Sequence, residues 1–313
     1  MEKKEYDIII AGAGPAGLTC GLYCARAGFA TAVVDSGMPG GQMAMTEWID
    51  NYPGFPEGIG GSELGELMVK QAQRFGAEVT YGNITSVTNE SGRFEIQTDG
   101  ETALCRAFVI ATGATPLELG APGESELRGR GVSYCAVCDG NFFAGQPVVV
   151  IGGGDSAVEE AVYLSKMCAK VTIIHRREKL RAKKTAVEAA QAKQNIEFAL
   201  NSTVVEVTGD KEVTGVKIKN TVSGEISDVP CSGAFFYVGV APRSEWARGI
   251  ADTDGNGFII TDENMETSVK GIYAVGDVRR PRNRQVSTAV GDGAAAALAI
   301  ERVLNEQPDR WRK

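Results

Sequence analysis

The stretch Val148-Val-Val-Ile-Gly-Gly-Gly-Asp-Ser-Ala157 repeats, 140 residues on, a pattern first met at Asp7-Ile-Ile-Ile-Ala-Gly-Ala-Gly-Pro-Ala-Gly17. In each copy an apolar run enters a glycine-rich turn, a helical pattern follows (18–26 and 158–167), and another apolar run comes next. Gly12 and Gly152 permit the tight turn. Gly14 and Gly154 let the backbone approach a pyrophosphate, and Gly17 and Ala157 leave room for helix to pack on strand. The pyrophosphate then rests on the free N–H groups and positive dipole end of the helix. Strand, turn, helix and strand in register twice predict an α/β chain with two Rossmann-like nucleotide-binding domains. The turn residues that would cradle the two dinucleotides are Gly12, Gly14, Pro15, Ala16 and Gly17 in the first copy. In the second they are Gly152, Gly153, Gly154, Asp155, Ser156 and Ala157.

The copies differ where a ribose-binding acid is expected, about 20 residues past the fingerprint. Thr31-Ala-Val-Val ends at Asp35, which can take ribose hydroxyls. Val171-Thr-Ile-Ile ends instead at His175-Arg176-Arg177, with Arg181 placed one helical turn further. An acid repels a 2′-phosphate, whereas arginine forks match its oxygens. The first site therefore suits FAD and the second NADPH. A solvated basic helix start is the other reading of 175–181. His175 is the chain's single histidine, so histidine acid–base chemistry elsewhere is excluded.

The chain has 313 residues, enough for two domains with substantial cores. Forty acids against 32 bases give a net charge of −8, which argues against general nucleic-acid binding. Met1-Glu-Lys-Lys-Glu-Tyr is charged and enters the first strand directly, unlike a signal peptide. No apolar run is long enough to span a bilayer. A cytoplasmic protein is expected.

Seven cysteines in such a chain should be mostly reduced. Cys20 and Cys24 share one face of the first fingerprint's helix and read as core residues. Cys105, Cys168 and Cys231 stand alone in apolar stretches. With no second Cys-x-x-Cys and no histidine cluster, a zinc site is not expected. Cys135-Ala-Val-Cys138 remains. Cysteines at this spacing can close a small-loop disulfide and have lowered thiol pKa values. Asp139 follows at once, either as a turn acid or as a proton donor and acceptor for thiol–disulfide exchange.

Between the fingerprints, short β-type runs (84–87 and 94–97) lead to a further strand at 108–113. In the second copy the runs are 203–207 and 213–218, then 235–239. Each set resembles a three-stranded meander returning to a parallel strand, so each domain should have three layers, ββα. Gly271-Ile-Tyr-Ala-Val-Gly-Asp277 and the alanine-rich helix 287–305 have no fingerprint of their own and are best used to complete the first domain. Turn signals at Pro116 and 241–243 then set the division. An FAD-binding domain spans 1–116 and 245–313, and an inserted NADPH-binding domain spans 117–244 and carries the dithiol.

These residues together resemble the low-molecular-weight thioredoxin reductases, along essentially the whole chain. The shared signatures are Gly12 to Gly17, Gly40-Gly-Gln42, Ala111-Thr112-Gly113, Cys135-Ala-Val-Cys-Asp139, Gly152-Gly-Gly154, His175-Arg-Arg177 and Gly276-Asp277. The resemblance implies a homodimer of NADPH-dependent thioredoxin-disulfide reductase. It implies FAD contacts from the first fingerprint, Asp35, Gly41, Gln42, Asn51, Thr112, Gly113, Gly276, Asp277, Arg284, Gln285 and Val286. It implies that Asp139 is the general acid, and that Arg176, Arg177 and Arg181, beside His175, clamp the 2′-phosphate. Rotation of the inserted domain, as in the family, would let nicotinamide and disulfide reach one flavin in turn. Asn141 departs from the pattern by separating Gly140 from Phe142-Phe143, and Arg243 stands where asparagine often follows the proline. With no fused thioredoxin-like domain or second redox pair expected, the electron acceptor is expected to be a separate protein or small disulfide, and the resemblance implies a thioredoxin or thioredoxin-like protein as partner. A peroxiredoxin-feeding reductase, a dithiol oxidase and a non-catalytic flavin redox sensor are the other readings left open.

Overall fold

The structure, a computed structural model, describes residues 3–306 apart from 47, 91, 245, 246, 248 and 281–283. The charged start at Met1-Glu2 and the tail past residue 306 lie outside the described residues.

Strands with apolar residues at every position are buried on both faces, because successive side chains point to opposite sides. Ile8–Ala11 behaves this way. Ile8 and Ile10 enter one core with Leu18, Cys20, Ala296 and Ile300 from helices. Ile9 and Ala11 enter another with Phe94, Ile96, Ala103 and Cys105 from antiparallel strands. The parallel sheet between these cores runs in the order Ile272–Ala274, Ala107–Ile110, Ile8–Ala11, Thr31–Asp35, Glu78–Tyr81. The helices on one face include Pro15–Arg26 and Val286–Glu306. The other face is covered by Ile84–Glu90, Arg93–Thr98 and Thr102–Cys105, with Lys4–Glu5 at the edge.

The second unit repeats the scheme. Its parallel sheet orders Val132–Ser133, Gly233–Tyr237, Pro147–Gly152, Lys170–Ile174 and Ile196–Ala199. Val148, Val150, Val171 and Ile173 face the helical side with Val158, Ala161 and Leu164. Val149, Ile151 and Ile174 face a meander supplying Val204, Val207, Val213, Val216 and Ile218. Each fully buried aliphatic side chain contributes about 2 kcal/mol.

The fold is thus α/β with two Rossmann-like units of ββα layering. Contacts divide the chain into Met1–Thr115 with Ala241–Lys313, and Pro116–Val240. The return crossing comes four residues before the position that the 241–243 turn signals gave. Hydrogen bonds hold 241–244 on the first unit. Arg243 N–H donates to Gly113 O (2.9 Å), and Thr112 Oγ1 donates to Arg243 O (2.5 Å). The strands that carry the crossings, Ala114–Pro116 and Val240–Pro242, are neighbours in a two-stranded sheet.

The third strand of each expected three-stranded meander, which the sequence reading did not place, is Thr102–Cys105 in the first unit and Ile226–Pro230 in the second. The second of these is mostly exposed, so its residues carry little apolar alternation. The basic run after His175 is a loop and not a helix start, since the next helix is Lys184–Gln191. The backbone donors that would begin a helix there are used elsewhere. Arg181 and Ala182 N–H both donate to Gly153 O, at 2.6 and 3.1 Å, and Lys183 N–H donates to Asp155 Oδ1 at 2.7 Å.

Candidate functional site

In the first unit, Gly12 has φ +112°, and a Cβ there would lie 2.4 Å from Ala111 O. The backbone closes tightly because no side chain intervenes. A Cβ on Gly17 would lie 1.9 Å from Gly12 O, so strand and helix touch at this point. Gly14 differs. Its φ is −75°, and a Cβ on it would meet nothing within 4 Å. It caps Pro15–Arg26 without a side-chain hydrogen bond, which leaves the first-turn amides without a capping side chain. Open space over uncapped amides fits a pyrophosphate.

Gly40, Gly41 and Asp35 lie against this turn. Gly40 N–H donates to Ala13 O (2.7 Å), and a Cβ on Gly41 would lie 3.3 Å from Gly14 Cα; Gln42 beside them is exposed. Asp35 accepts from Ala13 N–H (2.5 Å) and Gly37 N–H (2.7 Å), which fixes its carboxylate at the strand's end. Asn51 Nδ2 donates to Gln285 Oε1 (3.0 Å), so the structure joins two residues 234 apart in sequence, and Val286 opens the last helix beside them. Arg284 lies over the Phe258 ring, 5.2 Å from its centroid. Burial, more than any neighbouring charge, pushes the Asp277 carboxyl up to about 6. Thr112 spends its hydroxyl on Arg243 O, and Gly113 takes φ +71°.

In the second unit, Gly152 has φ +153°, and a Cβ on it would sit 2.6 Å from Tyr237 O and 2.8 Å from the Ala157 methyl. Gly154, like Gly14, faces open space at φ −89° and caps its helix without a side-chain bond. Asp155 and Ser156 form the helix's first turn. His175 is only 5% exposed and lies under the turn, where a Cβ on Gly153 would stand 2.3 Å from Nδ1. Burial, with Arg181, Arg177 and Arg176 adding to it, lowers the imidazole pKa below its usual value. Arg176, Arg177 and Arg181 are exposed on the loop, and among the described residues none of the three is in an ion pair.

Cys135 and Cys138 are joined as a disulfide, with Cα atoms 5.3 Å apart. Cys135 caps the short helix Ala136–Asp139 and Cys138 lies within it, its N–H donating to Cys135 Sγ (3.2 Å). Asp139 makes no capping bond. Its Oδ2 accepts from Ser133 Oγ (2.5 Å), and Ser133 Oγ in turn accepts from Cys135 N–H (3.1 Å). The carboxylate is thereby tethered to the loop that carries the thiols. The other five cysteines are buried free thiols. Burial pushes Cys168 up to about 11, Cys231 up to about 12 and Cys105 further. Cys20 is raised first by its contact with Cys24, whose sulfur lies 4.0 Å away. Thiols so far from ionising are poor nucleophiles at neutral pH.

Four residues that matter here were not found from sequence. Asp292 accepts from Gly276 N–H (3.1 Å) and forms a two-pronged pair with Arg279 (2.7 and 2.9 Å), which fastens the turn before Asp277. The available signal was a charged Gly-Asp-Gly inside an otherwise apolar helix. Glu160 and Tyr237 lie behind the dithiol, and nothing in the local sequence marks them.

The chain matches the pyridine nucleotide-disulphide oxidoreductase family over residues 6–293. It is 47% identical over 306 residues to a thioredoxin reductase of Listeria monocytogenes, covering 97% of this chain and 96% of that one. It is 46% identical, with the same coverage, to a thioredoxin reductase of Bacillus subtilis. The solved thioredoxin reductase of Streptococcus pyogenes superposes with a TM-score of 0.90 at 43% identity, covering 97% of this chain and all of that one. The chain belongs to the thioredoxin reductases within the pyridine nucleotide-disulphide oxidoreductase family.

Proposed function

We propose that the protein is an NADPH-dependent thioredoxin-disulfide reductase with FAD on its first unit and NADPH on its second. The observation that carries this is the Cys135–Cys138 disulfide tethered to Asp139, in the unit that also bears the basic loop. A flavin held at the Gly12–Gly17 turn would supply hydride acceptance from a reduced nicotinamide and two-electron delivery to the disulfide. The chain's own residues do the rest. Gly14 and Gly154 leave the approach to each turn open, while Asp35 favours unphosphorylated ribose hydroxyls. Arg176, Arg177 and Arg181 favour a 2′-phosphate. Asp139 holds the proton that a departing thiolate takes up and that an attacking thiol gives back. The thiols of Cys135 and Cys138, half-buried in the disulfide state, then exchange with a disulfide on thioredoxin, the substrate named for the relatives.

Support for a cytoplasmic setting comes from the five buried thiols kept apart from the one disulfide. Among the described residues no helix is long and apolar enough to cross a membrane. Leu67, exposed on the helix Gly61–Arg74, and Phe75 at its end offer apolar surface for a second copy in a homodimer. Light scattering tests that assembly. The deciding experiment is anaerobic reduction by NADPH with and without a thioredoxin. Flavin bleaching in both cases, with thioredoxin thiols appearing only in the second, is the expected result. Bleaching without thioredoxin reduction would favour a dithiol oxidase or a different protein partner.

A further inference from the structure

Tyr237 stands between the nucleotide turn and the dithiol. It closes the strand Gly233–Tyr237 as the register partner of Gly152, and its carbonyl oxygen is the atom that forbids a side chain there. Its hydroxyl oxygen accepts a 2.7 Å hydrogen bond from Ala136 N–H, inside the Cys135–Cys138 loop. One residue thus touches both. Having accepted from Ala136, the hydroxyl still has a hydrogen to donate. Two carboxylates act on it, Glu160 more strongly than Asp139, and burial above all keeps the phenol protonated. Glu160 projects from the helix Asp155–Leu164, which opens out of the same nucleotide turn. Its Oε2 is buried, with no hydrogen-bond partner among the described residues. Burial, and then Glu159 beside it, push this carboxyl up to about 6. Neither Tyr237 nor Glu160 has a part in the chemistry set out above.

From this arrangement we infer that Tyr237, backed by Glu160, is a positioning residue of the dithiol that couples occupancy of the second nucleotide turn to the disulfide–dithiol balance of Cys135–Cys138. The inference rests on the reading of that unit as a nucleotide and dithiol carrier. The hydrogen bond to Ala136 is a bond of the disulfide state. Opening the loop moves its fastening point, and that point shares a residue with the nucleotide turn. A ligand that settles the turn must then shift the redox balance. By linkage, the redox state must shift the ligand's affinity by the same factor.

The test is a titration of the full-length, flavin-loaded protein in dithiothreitol redox buffers. Thiols are trapped at equilibrium and counted by mass spectrometry. Reduction cleaves the Sγ–Sγ bond and takes up two electrons and two protons, both from dithiothreitol, which closes to its cyclic disulfide. The nucleotide probe is 2′,5′-ADP, which bears the 2′-phosphate but no nicotinamide and so carries no electrons. In the unaltered protein, saturating 2′,5′-ADP should change the dithiol-to-disulfide ratio at least threefold, or about 14 mV from the two-electron constant. Tyr237→Phe should move the balance toward dithiol by a similar factor without nucleotide and abolish the nucleotide response. Glu160→Gln should reduce that response, and it serves as the second variant if Tyr237→Phe does not fold. A merely structural tyrosine would lower thermal stability and leave the balance alone. Variants with the unaltered balance and an undiminished response would overturn the inference, as would an unaltered protein whose dithiol ignores 2′,5′-ADP. A Cys135–Cys138 pair that does not cycle in the unaltered protein would instead sink the reductase reading itself.

Discussion

Cys138 and Asp139 sit one residue apart, yet their loss should separate two half-reactions. Cys138→Ser removes the disulfide and leaves both nucleotide turns intact. Stopped-flow reduction of the flavin by NADPH should keep its rate, while turnover with thioredoxin falls to background, because Cys135 alone can form a mixed disulfide but has no second thiol to resolve it and close the Cys135–Cys138 bond. Appreciable turnover in this variant would mean that a buried thiol such as Cys168 carries electrons. Asp139→Asn keeps the Ser133 contact but cannot hold the proton. It should slow thioredoxin reduction by about 10²–10⁴-fold with little effect on flavin reduction. Glu160 gives a pH prediction of known sign. Its folded pKa is raised to about 6, so the folded state binds more protons than the unfolded state between about 4.5 and 6. Stability from this group therefore falls as pH rises through that window. Glu160→Gln should melt higher than the unaltered protein at pH 8 and at the same temperature at pH 4. A variant that melts lower at pH 8 would show that the ionised carboxylate is compensated.

At the scale of elements, the two glycines of each turn should behave differently. Gly12→Val meets Ala111 O and a positive φ at once, a combination of clash and strain that costs about 2 kcal/mol or more. It should lower the melting temperature as well as the flavin content. The Cβ that Gly14→Val introduces meets nothing in the protein. The variant should fold with unchanged far-ultraviolet circular dichroism and yet purify colourless, since its side chain would stand where the pyrophosphate approaches. Stoichiometric flavin in that variant would move the site away from this turn. On the basic loop, Arg176→Ala with Arg177→Ala should remove two charge-assisted contacts of roughly 1.5–3 kcal/mol each. The preference for NADPH over NADH, read from kcat/KM, should fall by at least about a hundredfold.

The same elements show what sequence could disclose. Ile8–Ala11 and Pro147–Gly152 were legible because both faces are buried and every position is apolar. Ile226–Pro230 was not, because most of its side chains are exposed and any polar residue satisfies them. The loop at 176–183 resembled a helix start because its residues favour helix. Gly153 O and Asp155 captured the donors from residues far away in sequence, and local propensity carries no trace of such a partner. His175 shows the same limit. The sequence places it at the end of a strand among cations, and burial beneath Gly153, which no local pattern announces, lowers its pKa.

At the scale of the whole molecule, the insertion implies that the second unit needs nothing from the first to complete its core. Both faces of its five-stranded sheet are covered by its own chain, by the Asp155–Leu164 helix side and by the Ser202–Asn220 strands. Its two ends enter adjacent strands, so excision leaves close termini, as in an independently folding domain. Residues 116–240 expressed alone should unfold in one cooperative transition in urea. The fragment should bind 2′,5′-ADP, release it on Arg176→Ala with Arg177→Ala, and contain no flavin. Its Cys135–Cys138 pair should still cycle with dithiothreitol, because Ser133, Asp139, Tyr237 and Glu160 all travel with it. It should not accept electrons from NADPH at a useful rate, since the turn that would hold the flavin is left behind at Gly12 to Gly17. A fragment that unfolds without cooperativity would show that the first unit stabilises the second. A fragment that turns over NADPH unaided would place the electron acceptor within the insert, and the division of labour between the two fingerprints would have to be redrawn.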